Sequence, residues 1–195
     1  MRGNAVVGPN ATVISTGFTR DSTLKVRTEL PDGQGSRLRP AGVTFSDKIT
    51  IHVDDSPVHV YFPGEAHTRG DALVYFPERH AIAMGDLFLT RTSPYMDEGS
   101  VESWIKALDQ VLAMQVEAIV PGHFELASKK ELQRFRDYLS DLYTQVAAMY
   151  RAGANAEQVR LGIHMDKYAD FRQYPRYEAT FADNAETVLR QMMKR

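Results

Sequence analysis

The 195-residue sequence contains no cysteine, no long apolar run and almost no excess of either charge. Without cysteine the chain has no disulfide framework, no cysteine-ligated zinc and no thiol nucleophile, although its compartment is left open. No segment approaches the roughly 20 consecutive apolar residues of a membrane-spanning helix. A formal charge of −2 provides no surplus of Lys and Arg for binding a phosphate backbone. We therefore expect neither a membrane nor a nucleic acid as partner.

The remaining composition is that of an ordinary globular protein, with 43% hydrophobic and 25% charged residues. A chain of this length is predicted to form a single domain over residues 1–195 with a hydrophobic core of its own. The first residues lack the apolar segment of a signal peptide, but a leader already removed would leave the same pattern. Localisation stays open between the cytoplasm and, if a leader is missing, the periplasm or the cell exterior.

The chain changes character near residue 98, where short β-prone segments give way to amphipathic helices. In the first part, apolar runs separated by turn residues predict strands and hairpins. The predicted elements are a strand over residues 11–15, a helix to about 30, a loop over 31–42, and two hairpins, 48–53 with 58–62 and 72–76 with 81–84. The first hairpin turn is expected to be slightly longer than two residues. Nearly continuous apolar strands in the second hairpin predict burial on both faces.

The second part is predicted to be mainly helical. Ser100 precedes apolar residues at helical spacing, and Ser128 begins a capping box that predicts a long helix ending near Gly153. A short buried strand is expected over 118–120. Further helices after residue 155 and over 184–193 would make residues 153–195 a C-terminal helical extension. Its aromatic residues either pack a helix onto the domain, the favoured interpretation, or line a substrate entrance; they are Tyr168, Phe171, Tyr174 and Tyr177.

Three short strings place a histidine or an aspartate beside glycine, directly after an apolar strand. They cover residues 63–71, 84–87 and 120–123, and the residues concerned are His67, Asp86 and His123. Loops at the strand ends of an α/β sheet meet at one edge, and imidazole with carboxylate suits zinc or a similar cation. Taken singly, each residue has an ordinary explanation as a solvated loop histidine or a turn aspartate. The combination predicts a metal site.

The strings resemble, in order and spacing, the third, fourth and fifth motifs of the metallo-β-lactamase-fold hydrolases, which include glyoxalase II-like and β-lactamase-like enzymes. They read A-H-T-x-G-D, ending at Asp71, G-D-L around Asp86, and P-G-H, ending at His123. The resemblance implies an α/β fold, an αββα sandwich with a metal site at one edge. It implies that His67 binds a first zinc ion, that His123 binds a second, and that Asp86 bridges both. Thr68 and Asp71 would then orient these ligands.

The sequence departs from that family in one element, because it contains no H-x-H-x-D-H string, which supplies four of the family's seven ligands. Residues 2–5 resemble those that directly follow this motif, so an N-terminally truncated or late-starting chain is expected. His164 and Asp166 imitate part of the spacing without a second histidine nearby and are interpreted as unrelated. Loss of the motif should weaken both zinc sites, and loss of the preceding strands should open a sheet edge that favours self-association.

The function that the resemblance implies is that of a zinc-dependent hydrolase with a small-molecule substrate and two zinc ions in its intact site. A metal-bound hydroxide would attack the carbonyl of an ester, thioester, lactone or amide, with activity absent or impaired in this chain. Two alternatives stay open. One is a metal-free remnant that serves as a binding or scaffold module, and the other is an iron-dependent persulfide oxygenase of the same fold.

Overall fold

The structure is a computed structural model that describes residues 8, 10–31, 35, 38–173 and 180–194. It confirms the predicted mixed α/β class. No helix in these ranges combines the length and the apolar character needed to span a bilayer. The likeness noted for residues 2–5 and the positions of Tyr174 and Tyr177 lie outside the described residues.

Short strands alternate with five α-helices along the described chain. The strands are β1 (Ile14–Thr16), β2 (Val43–Phe45), β3 (Lys48–Val53), β4 (Ser56–Tyr61), β5 (Leu73–Phe76), β6 (Ala81–Leu89), β7 (Thr92–Ser93), β8 (Ala118–His123) and β9 (Arg172–Gln173). The helices are α1 (Gly17–Glu29), α2 (Val101–Ala113), α3 (Lys129–Arg151), α4 (Ala156–Gly162) and α5 (Phe181–Met193). The main sheet has the order β3-β4-β5-β6-β8, with β8 parallel to β6, while β1 pairs with β2 and β7 with β9.

Both predicted hairpins are present, but each differs from the prediction in one respect. Val53 pairs with Ser56, so the first turn contains only two residues and is shorter than expected. Asp54 has a φ of 53°, a left-handed conformation that allows so tight a turn to close. In the second hairpin, β6 continues beyond residue 84 to Leu89, so Asp86 lies inside a strand rather than after it.

Within the described residues, one face of the main sheet packs against α2 and α3, and the opposite face is partly exposed. Ile82 pairs with Ile119, and both are completely buried in the core formed with α2 and α3. Ala83 pairs with Val120 on the opposite face, where Val120 is 42% exposed. The strand predicted to be buried over 118–120 is thus exposed on this face. Phe76 in β5 is 37% exposed, so the burial on both faces predicted for the second hairpin is also wrong, because both long helices contribute to the same core. Strand β3 lies at one edge of the described sheet, and self-association through that edge stays a prediction.

The helix starts follow from local capping chemistry. Ser100 caps α2, Ser128 opens α3 through a capping box, and Gly153, with a φ of 80°, follows the end of α3, all as predicted. Helix α5 begins at Phe181, earlier than the predicted residue 184. The reason is a capping box between Thr180 and Asp183 that the apolar pattern alone does not reveal.

The C-terminal extension contributes to the hydrophobic core. Tyr168 and Phe171 are only 1% and 6% exposed, and each has its ring centroid 5.3 Å from that of Tyr138 in α3. The packing interpretation is confirmed for these two aromatic residues. Asn184 in α5 reinforces the arrangement, because its side-chain amide donates hydrogen bonds to the Ser93 hydroxyl and the Tyr138 phenol at 2.8 and 3.1 Å.

Candidate metal centre

Asp86 and His123 meet where the parallel strands β6 and β8 lie side by side. The Nε2 atom of His123 is 3.4 Å from Oδ1 of Asp86, and the two side chains are 41% and 44% exposed. Pairing of the strands is irregular on both sides of Gly85, whose φ of 53° is a conformation that glycine adopts without strain. Irregularities of this kind redirect side chains and are common beside active sites. The pair is open to solvent and accessible to a ligand.

Gly122 provides the space that the Asp86 carboxylate occupies. A Cβ atom added at Gly122 would lie 2.1 Å from Oδ1 of Asp86 and 2.6 Å from the carbonyl carbon of Gly85. Both separations are far below van der Waals contact. Gly122 has no positive φ, unlike Gly85, so this position requires glycine for its small size rather than for a special backbone conformation.

His67 lies in the loop between β4 and β5, and the shape of that loop is set by Asp71. The Asp71 carboxylate accepts hydrogen bonds from the Thr68 backbone N–H and from the Thr68 hydroxyl, both at 2.7 Å. Its Oδ1 is also 3.9 Å from Nδ1 of His67, and both side chains are largely buried. Burial raises the pKa of the Asp71 carboxyl, against the opposing effect of the Thr68 hydrogen bonds. These contacts support the expected orienting role, which stays a prediction.

Two residues that the sequence analysis did not assign to the site also hold the His67 loop. The fully buried ring of Trp104 meets the His67 ring edge-on, with 5.5 Å between centroids. The indole N–H donates to the Leu87 carbonyl at 2.8 Å, which fixes the ring. At Gly99, an added Cβ would lie 1.6 Å from the Ala66 carbonyl oxygen. Trp104 is one of the apolar residues at helical spacing after Ser100, and no local signal in the sequence connects either residue with His67.

The pair formed by Asp86 and His123 fits two corners of one metal site. Two donor atoms bound about 2.0–2.1 Å from a tetrahedral zinc ion lie about 3.4 Å from each other, as these two do. Across residues 8, 10–31, 35, 38–173 and 180–194, however, no three His, Cys, Asp or Glu side chains come together as a group that could hold a metal. The structure thus brings together two of the three predicted ligands but not His67. A catalytic zinc requires at least three protein ligands, so these residues fit part of a site.

The main sheet of this α/β fold carries an imidazole and a carboxylate on neighbouring strands, a pair of donor groups suited to a metal ion. The sequence model of the metallo-beta-lactamase superfamily matches residues 16–123, more than half of the chain. The chain belongs to this superfamily, whose members bind metal ions, usually zinc, and include hydrolases and oxygenases.

Individual relatives are consistent with this assignment. The chain is 26% identical over 137 residues to the 2,4-dinitroanisole O-demethylase subunit alpha of Nocardioides sp. strain JS1661, covering 69% of this chain and 39% of the relative. It is 24% identical over 106 residues to the metallo-beta-lactamase type 2 of Elizabethkingia meningoseptica, covering 52% and 43%. The chain therefore spans about two fifths of these curated relatives. The solved metallo-beta-lactamase from Pontibacter korlensis superposes with a TM-score of 0.56 at 19% identity, covering 67% of this chain and 58% of that one, which shows the shared fold.

Proposed function

We propose that the chain provides part of the active site of a zinc-dependent hydrolase that acts on a small-molecule ester, thioester, lactone or amide. The observation that carries the proposal is the 3.4 Å approach of His123 Nε2 to Asp86 Oδ1. When bound, zinc would supply Lewis acidity that lowers the pKa of a water molecule to about 7. In an intact site with two zinc ions, His67 would hold one, His123 would hold the other, and Asp86 would be a ligand to both.

The residues of the chain itself have separate tasks in this proposal. Asp86 and His123 would hold the metal at a solvent-accessible position on the sheet, where a substrate can approach. His67 is a further ligand, and Asp71 with Thr68 fixes the loop that presents it. Since no three-ligand group is present in the described part of the chain, the remaining ligands must come from movement of His67 or from residues outside that part. The 195 residues alone are therefore expected to show little turnover.

Zinc binding tests the proposal directly. We expect the chain to compete for Zn²⁺ with a chromogenic chelator, and we expect His67→Ala, Asp86→Ala and His123→Ala each to weaken this affinity by at least tenfold. His164→Ala is the matched control, because this exposed histidine lies in the C-terminal extension. Full zinc affinity in all three ligand variants would contradict the assignment.

Turnover assays complete the test. The substrate panel should contain the four carbonyl classes and an aryl methyl ether, because one relative is an O-demethylase of 2,4-dinitroanisole. Fast zinc-dependent turnover of any of them by the 195-residue chain would contradict the proposed impairment.

A metal-free binding or scaffold module is the second candidate function. The observation that favours it is the lack of a three-ligand metal group within the described ranges. Elemental analysis of the purified chain distinguishes the candidates. Stoichiometric zinc supports the hydrolase, iron supports an oxygenase of the same fold, and absence of metal together with no uptake of added Zn²⁺ supports the binding module.

A further inference from the structure

The residue directly after His123 has an unusual backbone conformation. Phe124 has a φ of 74°, in the left-handed region that a bulky side chain adopts only where its surroundings enforce it. Its ring is 47% exposed, so burial in the core does not supply the constraint. Another contact must hold this turn in place.

That contact comes from Arg172 in β9, far along the chain. Its guanidinium carbon lies 4.5 Å from the centroid of the Phe124 ring. The same guanidinium donates two hydrogen bonds to the Glu125 carboxylate, at 3.1 and 2.7 Å. A planar guanidinium can stack on a ring and bind a carboxylate through two nitrogens at the same time. The ammonium group of lysine cannot do both. One side chain therefore holds the two residues that follow His123.

Arg172 is itself fixed by the backbone around it. Its N–H donates to the Arg91 carbonyl at 2.8 Å, and β9 pairs with β7 through Thr92 and Arg172. From the same region the Thr90 hydroxyl donates to the Glu125 carbonyl at 2.7 Å. The backbone of Arg172 is thus anchored to β7 and to Arg91, although it lies beyond residues 16–123 that match the superfamily.

We infer that Arg172 is a positioning residue for His123, which it holds against Asp86 by fixing the left-handed turn at Phe124. The rings of His123 and Phe124 are 6.2 Å apart, so relaxation of this turn displaces the imidazole. The identity of His123 as a metal ligand rests on the proposed function. The anchoring of Phe124 and Glu125 by Arg172 is independent of the proposed function.

The test compares Arg172→Gln and Arg172→Lys with a matched control, Arg134→Gln. Arg134 in α3 makes the same type of contacts with the extension, with two hydrogen bonds to Asp170 at 3.0 and 2.6 Å and the ring of Phe171 at 5.3 Å. Two quantities are measured on the full chain: hydrogen exchange of the amides of residues 124–127, and Zn²⁺ affinity by chelator competition. Both Arg172 variants should exchange at least tenfold faster in this segment and bind Zn²⁺ at least tenfold more weakly, with neither change in Arg134→Gln.

Several results would overturn the inference. Unchanged exchange in the Arg172 variants would show that another group holds the turn, and equally fast exchange in Arg134→Gln would show a general loosening. Faster exchange with unaltered Zn²⁺ affinity would show that the turn does not position His123. If Arg172→Lys matches the unsubstituted chain in both exchange and Zn²⁺ affinity, a positive charge alone suffices. If the unsubstituted chain does not bind Zn²⁺, the proposed function is contradicted, and exchange alone decides whether Arg172 holds the segment.

Discussion

Gly122 in β8 lies so close to Asp86 in β6 that a Cβ on the glycine would be 2.1 Å from Oδ1 of the aspartate. We expect Gly122→Ala to displace the Asp86 carboxylate from His123. The overpacking should lower the free energy of unfolding by about 1–3 kcal/mol. Zn²⁺ affinity should fall at least tenfold, because one of two paired donors has moved. Denaturant unfolding and chelator competition measure the two effects.

Gly42→Ala is the control for this substitution. An added Cβ at Gly42 meets no atom within 4 Å, so this change tests the general effect of replacing glycine by alanine in the chain. Equal stability and equal Zn²⁺ affinity in the two alanine variants would show that Gly122 does not determine the position of Asp86.

The Asp71 carboxylate is expected to determine the conformation of the His67 loop. Asp71→Ala leaves the backbone N–H and the hydroxyl of Thr68 without their acceptor in a largely buried place. Such a loss costs about 1–3 kcal/mol of folding free energy. Asp71→Asn keeps the shape and one acceptor oxygen, and its loss should be smaller. The exposed turn residue Asp55 provides the control as Asp55→Ala. The order of stability in urea should be Asp55→Ala, then Asp71→Asn, then Asp71→Ala, and any other order contradicts the assignment.

Local chemistry made the helices predictable, whereas the site depends on contacts between distant segments. Ser128 and Glu131 are three positions apart and define the start of α3 without help from the rest of the fold. By contrast, the size restriction at Gly122 exists only because β6 lies beside β8. The contact of Trp104 with His67 likewise requires α2 to pack on the sheet. Residue motifs therefore predict His67, Asp86 and His123 as site residues, but they do not reveal the contacts of Gly122 with Asp86 and of Trp104 with His67.

The end of β6 is likewise determined by a contact between distant segments and could not be predicted from the local sequence. An apolar run predicted its first residues, and the glycine at position 85 indicated that it ends there. The strand instead passes through Gly85 as an irregularity and continues to Leu89, because pairing with β8 resumes beyond it. Only the neighbouring strand decides whether glycine ends a strand or bends it.

The capping box of α3 should make stability depend on pH in the acid range. Hydrogen bonds from the Ser128 hydroxyl and backbone lower the pKa of Glu131. A lowered pKa means that the carboxylate stabilises the folded state above the ordinary glutamate pKa, and that this contribution disappears as pH falls through the lowered value. Glu131→Gln should therefore be less stable than the unsubstituted chain at pH 7, and this difference should shrink as pH falls below the ordinary glutamate pKa, as measured by urea unfolding.

Glu157→Gln is the matched control for this pH dependence. Glu157 also lies in the first turn of a helix, α4, but there Gln158 makes the capping contact with Asn155. Its replacement measures the general effect of removing a first-turn carboxylate, and the pH dependence of Glu131→Gln is judged against it. A difference for Glu131→Gln that does not change with pH would show that the carboxylate charge has no role in the cap.

Tyr138 should make stability depend on pH in the alkaline range. Burial raises the pKa of this phenol to about 12, although Ser93 and Asn184 lie within hydrogen-bond distance. The neutral phenol is thus favoured in the folded state, so stability is intact below the ordinary tyrosine pKa of about 10 and falls as pH rises through about 12. The loss should reach about 2–3 kcal/mol at the upper limit.

Tyr138→Phe removes this titration while keeping the buried ring. At neutral pH the variant should be less stable by about 1 kcal/mol, since Asn184 loses one of its hydrogen-bond partners. Above pH 10 its stability should fall less steeply than that of the unsubstituted chain, so the two curves converge. The control is Tyr150→Phe, which removes the hydroxyl of a tyrosine that is 42% exposed instead of a buried one. Stability is measured by guanidinium unfolding from pH 7 to 11. If the curve of Tyr138→Phe runs parallel to that of the unsubstituted chain, the pKa of Tyr138 is the same in the folded and unfolded states, and the prediction is wrong.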